Sequence, residues 1–193
     1  MQVIRARELV PTPWKNGGGV TRQIAAGPPG GDLDAFDWRL SLATVEAAGP
    51  FSTFPGVDRL MLVLDGELEL EIVGAAPLRL TADSPAAEFP GDAPVTAMAP
   101  SSPVIDINLM VRRGRYTASL ERRRAEPNAA VVSQDVTFIL ACGEGLAIAH
   151  GADAGRLGFG DVACIEAARG ALVRVRAEGP SAFVVAHVNA VRA

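Results

Sequence analysis

Histidine, lysine and cysteine are scarce in this 193-residue chain: two histidines, two cysteines and, beside seventeen arginines, the single lysine Lys15. Cys142 and Cys164 are too few for a disulfide framework and read as buried free thiols. His150 and His187 stand far apart with no carboxylate cluster beside either, whereas a bound metal needs three or four ligands, so neither metal nor cofactor is expected. No window approaches the ~20 apolar residues of a membrane span. Arg5, Arg7 and Glu8 occupy the stretch where a signal peptide carries its apolar core, so the expected location is the cytoplasm, away from membranes. A surplus of positive charge is also missing: the net charge of −4 argues against a general nucleic-acid binder. No stretch sustains helical periodicity over several turns, so little helix is expected.

What the chain does contain is alternation. Across LMLVL, Asp65, Gly66 and ELELEI, two β-rich runs flank an Asp-Gly pair, which predicts an antiparallel hairpin closed by a type I′ turn. Leu68, Leu70 and Ile72 alternate with Glu67, Glu69 and Glu71, one face for a core and one for water. In WRLSLATV, Leu40, Leu42 and Thr44 share one side and Arg39, Ser41 and Ala43 the other. VIDINLMV repeats the pattern, with Asp106, Asn108 and Met110 opposite Ile107, Leu109 and Val111. These polar faces meet either solvent or the inside of a small barrel. The barrel lining is favoured, because a buried Arg39 could be paired by Asp58, by Asp106 or by a ligand carboxylate.

Between the strands lie PWKNGGGVT at 13–21, whose three glycines let the backbone approach a ligand or another strand, and GPFSTFPGVDR at 49–59, rich in glycine, proline and aromatics. GPPGGDLDAFD at 27–37 reads as a loop, and RRGRYTASLERRR at 112–124 as a solvated connector. After a further loop around 126–128, VTFILACGEGLAIA echoes the 60–72 segment, and RLGFGDVACIE and ALVRVRAEGPSAFVVAHV complete a second β-rich block. With 49% hydrophobic residues the chain is long enough for a sizeable core. The expected fold is all-β: two β-barrels in tandem, with residues 1–120 forming an N-terminal barrel and 121–193 a C-terminal one.

The 49–59 loop followed by VLDGELEL resembles the first half of a cupin, in which a His-x-His pair and a Glu precede the turn; those ligand positions fall on Ser52, Phe54 and Asp58 here, and the histidines are absent. PWKNGGGVTR, FPGDAPV and DINLMVRRG resemble more narrowly the HutD/Ves family of bicupins associated with histidine utilisation. The resemblance implies that the two tandem barrels are cupin-like (jelly-roll) β-barrels, a metal-free bicupin, and points to a ligand from histidine degradation.

The resulting expectation is a protein that binds a small polar carboxylate in the N-terminal barrel, as a regulator or sensor of histidine catabolism, with formylglutamate or urocanate the favoured ligands. Arg39, Arg59 and Lys15 would recognise carboxylates. Asn16, Ser41, Ser52 and Asn108 would hydrogen-bond amide or formyl oxygens, with Trp14 and Phe54 as an apolar wall and Asp58 as a counter-charge. The alternatives are a metal-independent cupin enzyme, isomerase- or epimerase-like or hydrolytic, using Lys15 as base and Asp58 as acid, and a protein-interaction module. The more apolar second barrel suits a supporting or dimerising role, with a homodimer the candidate assembly.

Overall fold

The computed structural model describes residues 1–28, 36–126, 129–166, 169–177, 179 and 181–192. Most of the loop expected at 27–37 lies outside these, as do residues 127 and 128 of the next loop and 178 and 180 of the closing segment. Nineteen strands and one short 3-10 turn, Ala6–Glu8, make up the regular structure among the described residues.

In chain order the strands are β1 (Gln2–Ile4), β2 (Pro11–Pro13), β3 (Gly19–Gly27), β4 (Trp38–Val45), β5 (Gly49–Pro50), β6 (Val57–Asp65), β7 (Glu67–Ile72), β8 (Leu78–Thr81), β9 (Ala87–Pro90) and β10 (Val95–Ala97). They continue as β11 (Val104–Arg112), β12 (Tyr116–Arg124), β13 (Ala129–Val132), β14 (Val136–Ala141), β15 (Leu146–His150), β16 (Asp153–Leu157), β17 (Val162–Ile165), β18 (Leu172–Ala177) and β19 (Ala182–Ala190). They divide into two compact units, Val10–Tyr116 and Met1–Leu9 with Thr117–Ala193. The first nine residues therefore belong with the C-terminal half, unlike the sequence boundary at 120, because β1 pairs along β17 from Gln2 opposite Cys164 to Ile4 opposite Val162.

In the N-terminal unit a six-stranded sheet, ordered β2-β3-β4-β11-β6-β9, faces the core, and a four-stranded sheet is ordered β5-β10-β7-β8. Leu68 and Leu70 of β7 are fully buried while Glu67, Glu69 and Glu71 are exposed, which is the alternation the sequence carries. They pack with Val45, Met61, Val63, Leu80, Phe89 and Val104 into one apolar cluster. β6 and β11 are buried on both faces, so their apolar runs are nearly continuous.

The expected Asp65-Gly66 hairpin does not form. β6 pairs with β11 and β9, whereas β7 pairs with β10 and β8, so the chain changes sheets at this point. Gly66 alone carries the bend, at φ +87°, and no non-glycine described residue has positive φ, which excludes the two-residue type I′ geometry. Both runs bury apolar side chains toward the same interior, and a corner between two facing sheets satisfies both where a flat hairpin would expose one of them. The expected solvated connector at 112–124 is also largely a strand, β12, at the edge of the second unit's larger sheet.

Eight strands of the second unit, β12–β19, repeat β4–β11 of the first in order, while β2 and β3 have no counterpart. The second unit's sheets are ordered β1-β17-β14-β19-β12 and β13-β18-β15-β16, and adding eight to each of β9-β6-β11-β4 and β5-β10-β7-β8 reproduces them apart from the extra edge strand β1. The interior differs in content, being filled by Val131, Ile139, Leu146, Ile148, Phe183 and Val185 among others.

Candidate functional site

The parity of four neighbouring strands brings polar side chains to one place. Antiparallel pairing sets Asn108 of β11 opposite Ser41 of β4 and Met61 of β6, and sets Met110 opposite Arg39 and Arg59. A break in register between Gln23 and Ala25 lets β3 bend around the end of the sheet. Together with the arm at 12–16 and the loop at 50–54, these strands border a half-open cavity of about 570 Å³ within the N-terminal unit. Its wall includes Thr21, Gln23, Arg39, Ser41, Ala43, Phe51, Phe54, Arg59, Asp106, Asn108 and Met110.

Nine of the ten residues singled out in the sequence line this one space: Trp14, Lys15, Asn16, Arg39, Ser41, Ser52, Phe54, Arg59 and Asn108. Asp58 does not. Neighbours along a strand point to opposite faces, so with Arg59 inside, Asp58 is turned away and its Oδ1 accepts from Nε of Arg113 at 2.8 Å. The expected Lys15–Asp58 acid–base couple is therefore not assembled. Asn16 reaches the rim, but its amide holds the loops: Oδ1 accepts from the Gly18 N–H at 3.0 Å and Nδ2 donates to the Pro50 carbonyl at 3.3 Å. Ser52 contributes mainly its backbone carbonyl, which accepts from Nη1 of Arg59 at 3.4 Å.

Aromatic rings hold both guanidinium groups. Arg39 Cζ lies 4.7 Å from the Phe36 ring centre and 4.9 Å from that of Phe54, while Nη2 donates to Met110 Sδ at 3.4 Å. Arg59 Cζ lies 5.2 Å from both Phe51 and Phe89. Trp14 meets Phe51 edge-on at 5.8 Å and donates from Nε1 to Thr21 Oγ1 at 2.7 Å, pinning the arm over the site.

At the base, Arg59 donates from Nη2 to Asn108 Oδ1 at 2.9 Å, and Asn108 Nδ2 donates to Asp106 Oδ1. Asp106 is completely buried and Arg59 nearly so. Asp106 Oδ2 and Arg59 Nε are buried without a hydrogen-bond partner among the described residues. Burial pushes the Asp106 carboxyl up to about 8, with the charge of Arg59 acting the other way. Burial also lowers Arg59 to about 10, an effect offset by Asp106 and reinforced by Arg39. The sequence placed Asp106 on this face only as a counter-ion; its strand parity with Asn108 was the signal that it lines the cavity. Phe51, Thr21 and Gln23 were missed because their places depend on the loop path and the β3 irregularity.

Among the described residues that line the wall, Asp106 is the one carboxylate and none is a histidine or cysteine. No group of three or more His, Cys, Asp or Glu side chains converges elsewhere among the described residues. No helix among them is long and apolar enough to cross a membrane.

Residues 6–183 match the family model HutD. The chain belongs to the HutD family. A Pseudomonas putida protein described as an uncharacterized 21.2 kDa protein in the hutC 3′ region is 38% identical over 121 residues, covering 63% of each chain, so this chain spans under two thirds of that relative's length. Over nearly full length, the crystal structure of a conserved protein of unknown function from Pseudomonas aeruginosa PAO1 superposes with a TM-score of 0.88 at 32% identity, covering 97% of this chain and 98% of that one. HutD from Pseudomonas fluorescens SBW25 superposes at 0.82 with 26% identity over 99% of both. A cupin 2 conserved barrel domain protein from Leptotrichia buccalis, 10% identical with a TM-score of 0.64 over 97% of this chain and 96% of that one, shares the fold alone.

Proposed function

We propose that this HutD-family chain binds a small carboxylate in the N-terminal cavity and serves histidine catabolism as a regulator or sensor. The observation that carries the reading is charge imbalance in a half-open cavity: among the described residues its wall carries three cationic side chains, Lys15, Arg39 and Arg59, and one carboxylate, Asp106. Two guanidinium planes held by aromatic rings are pre-oriented forks, and an anion bound between them gains hydrogen bonds without the cost of ordering long side chains. Ser41, Thr21, Gln23 and the aromatic wall suit a polar body of modest size. Formylglutamate and urocanate are the favoured ligands, in keeping with the description of the Pseudomonas putida relative as a protein in the hutC 3′ region.

Thermal unfolding of the purified chain with formylglutamate, urocanate, glutamate, histidine and neutral sugars tests this reading. A ligand that binds only the native state at about a hundred times its Kd adds roughly 2.7 kcal/mol, or a few degrees in midpoint. A shift with the carboxylates alone, lost in Arg39→Ala while the unliganded variant stays folded, supports the reading. Turnover of any of these compounds would make the cavity an active site, and no shift with any of them would remove the carboxylate assignment.

A further inference from the structure

The base of the cavity has an atom to which neither the fold nor the carboxylate reading gives a task. Asp106 sits fully buried on β11, opposite Ala43 of β4 and Val63 of β6, where no charged side chain adjoins it in the pairing. Its Oδ1 takes the amide of Asn108, whose own oxygen is taken by Arg59, so the arginine reaches the carboxyl only through a neutral amide. Oδ2, also buried, has no hydrogen-bond partner among the described residues, and Asp106 is one of the residues that line the cavity. Among the described residues, the charged groups that share the wall are Arg39 from β4, Arg59 from β6 and Lys15 from the arm; β3 and the 50–54 loop contribute none. An ionised carboxyl here would be desolvated, without a directly bonded cation, and would repel an anion held by the arginines. A neutral one would instead offer that anion a donor.

We propose that Asp106 is a ligand-binding residue that acts in its protonated form, donating from Oδ2 to an oxygen of the carboxylate held by Arg39 and Arg59. The inference rests on the carboxylate reading of the same cavity and refines it: the site prefers a ligand whose buried end presents acceptor oxygens over one that presents an N–H. The high affinity of the Asp106 carboxyl for its proton, a consequence of burial, agrees with this. Below the carboxyl's pKa, binding leaves the proton where it is. Above it, binding draws one proton from solvent onto Oδ2, so affinity falls about tenfold for each pH unit.

Two measurements on the full chain decide. Isothermal calorimetry with formylglutamate, urocanate and glutarate between pH 6 and 10, in buffers of different ionisation enthalpy, is expected to show affinity constant at low pH and falling above about 8, with uptake of one proton per ligand at high pH. Asp106→Asn, which keeps a donor but carries no titrating group, is expected to lose the pH dependence of binding. Carbon NMR of the unliganded wild-type chain should find one carboxyl that titrates several pH units above the rest. Binding that is flat with pH, binding that strengthens as pH rises, or a full set of carboxyls titrating near 4 would overturn the role of Asp106 while leaving the carboxylate reading intact. Failure of all three compounds to bind at any pH overturns both. Should Asp106→Asn not fold, the wild-type calorimetry and NMR carry the decision.

Discussion

Arg59 donates from Nη2 to Oδ1 of Asn108 at 2.9 Å, and this bond decides which way the buried Asn108 amide faces. With its oxygen toward the guanidinium, the amide has only its N–H group to give to Asp106. Asn108 thus joins a cation to a carboxyl with which that cation makes no ion pair among the described residues. Replacing Asn108 by Leu should cost on the order of 3 kcal/mol in urea unfolding, because two buried polar groups lose their partner at once. Asn108→Asp should be most costly above about pH 8, where it sets a second ionised carboxyl against Asp106.

The pH dependence of stability has a definite sign. Asp106 holds its proton more tightly folded than unfolded, so its contribution is present in full below about pH 4 and is lost as pH rises toward 8. Between those limits the folded chain binds more protons than the unfolded one, and this group makes stability fall with pH. Denaturation curves of wild type and Asp106→Asn across pH 4–9 should differ by a slope of that sign, and parallel curves would show that the carboxyl titrates normally in the fold.

Asp58 and Arg39 should separate cleanly. Asp58 pairs with Arg113, which also reaches Asp92 at 3.0 Å, in a half-exposed network outside the cavity. Asp58→Asn should leave carboxylate affinity unchanged and cost less than about 1 kcal/mol of stability, while Arg39→Ala should lower affinity at least tenfold by calorimetry.

Gly66 and Gly74 share φ +87°, but a Cβ at Gly66 would stand 3.1 Å from Val104 Cγ2 and one at Gly74 would meet nothing within 4 Å. Gly74→Ala should therefore cost only backbone strain, about 1 kcal/mol, and Gly66→Ala more than that, since the sheet-to-sheet corner must also shift. Equal losses in thermal unfolding would mean that Val104 yields freely.

Side-chain parity was the readable part of the sequence. The alternation of Arg39, Ser41, Asp106 and Asn108 on two strands is enough to bring them to one face, whatever the pairing partners turn out to be. Partnership itself was not readable around Gly66, because the same Asp-Gly signal serves a hairpin and a corner, and only the distant β10 and β11 decide between them. Asp58 was misplaced by counting back from a motif instead of counting by twos from Arg59. The turn of Asn16 toward the Pro50 carbonyl depends on contact between loops 34 residues apart, which no local pattern encodes.

The eight-strand repeat has a bearing on how this chain can change over generations. By strand order and register, Thr137, Val185 and Phe183 occupy in the second unit the places of Arg59, Asn108 and Asp106 in the first. Converting one set into the other by single substitutions would pass through intermediates that each bury a lone polar or charged group in a packed interior, a loss comparable with much of a domain's stability. The two copies of the scaffold are therefore held apart in sequence space: the packed copy can drift among apolar side chains of similar volume, but it cannot readily acquire a charged pocket, and the charged copy cannot readily lose its pocket one residue at a time.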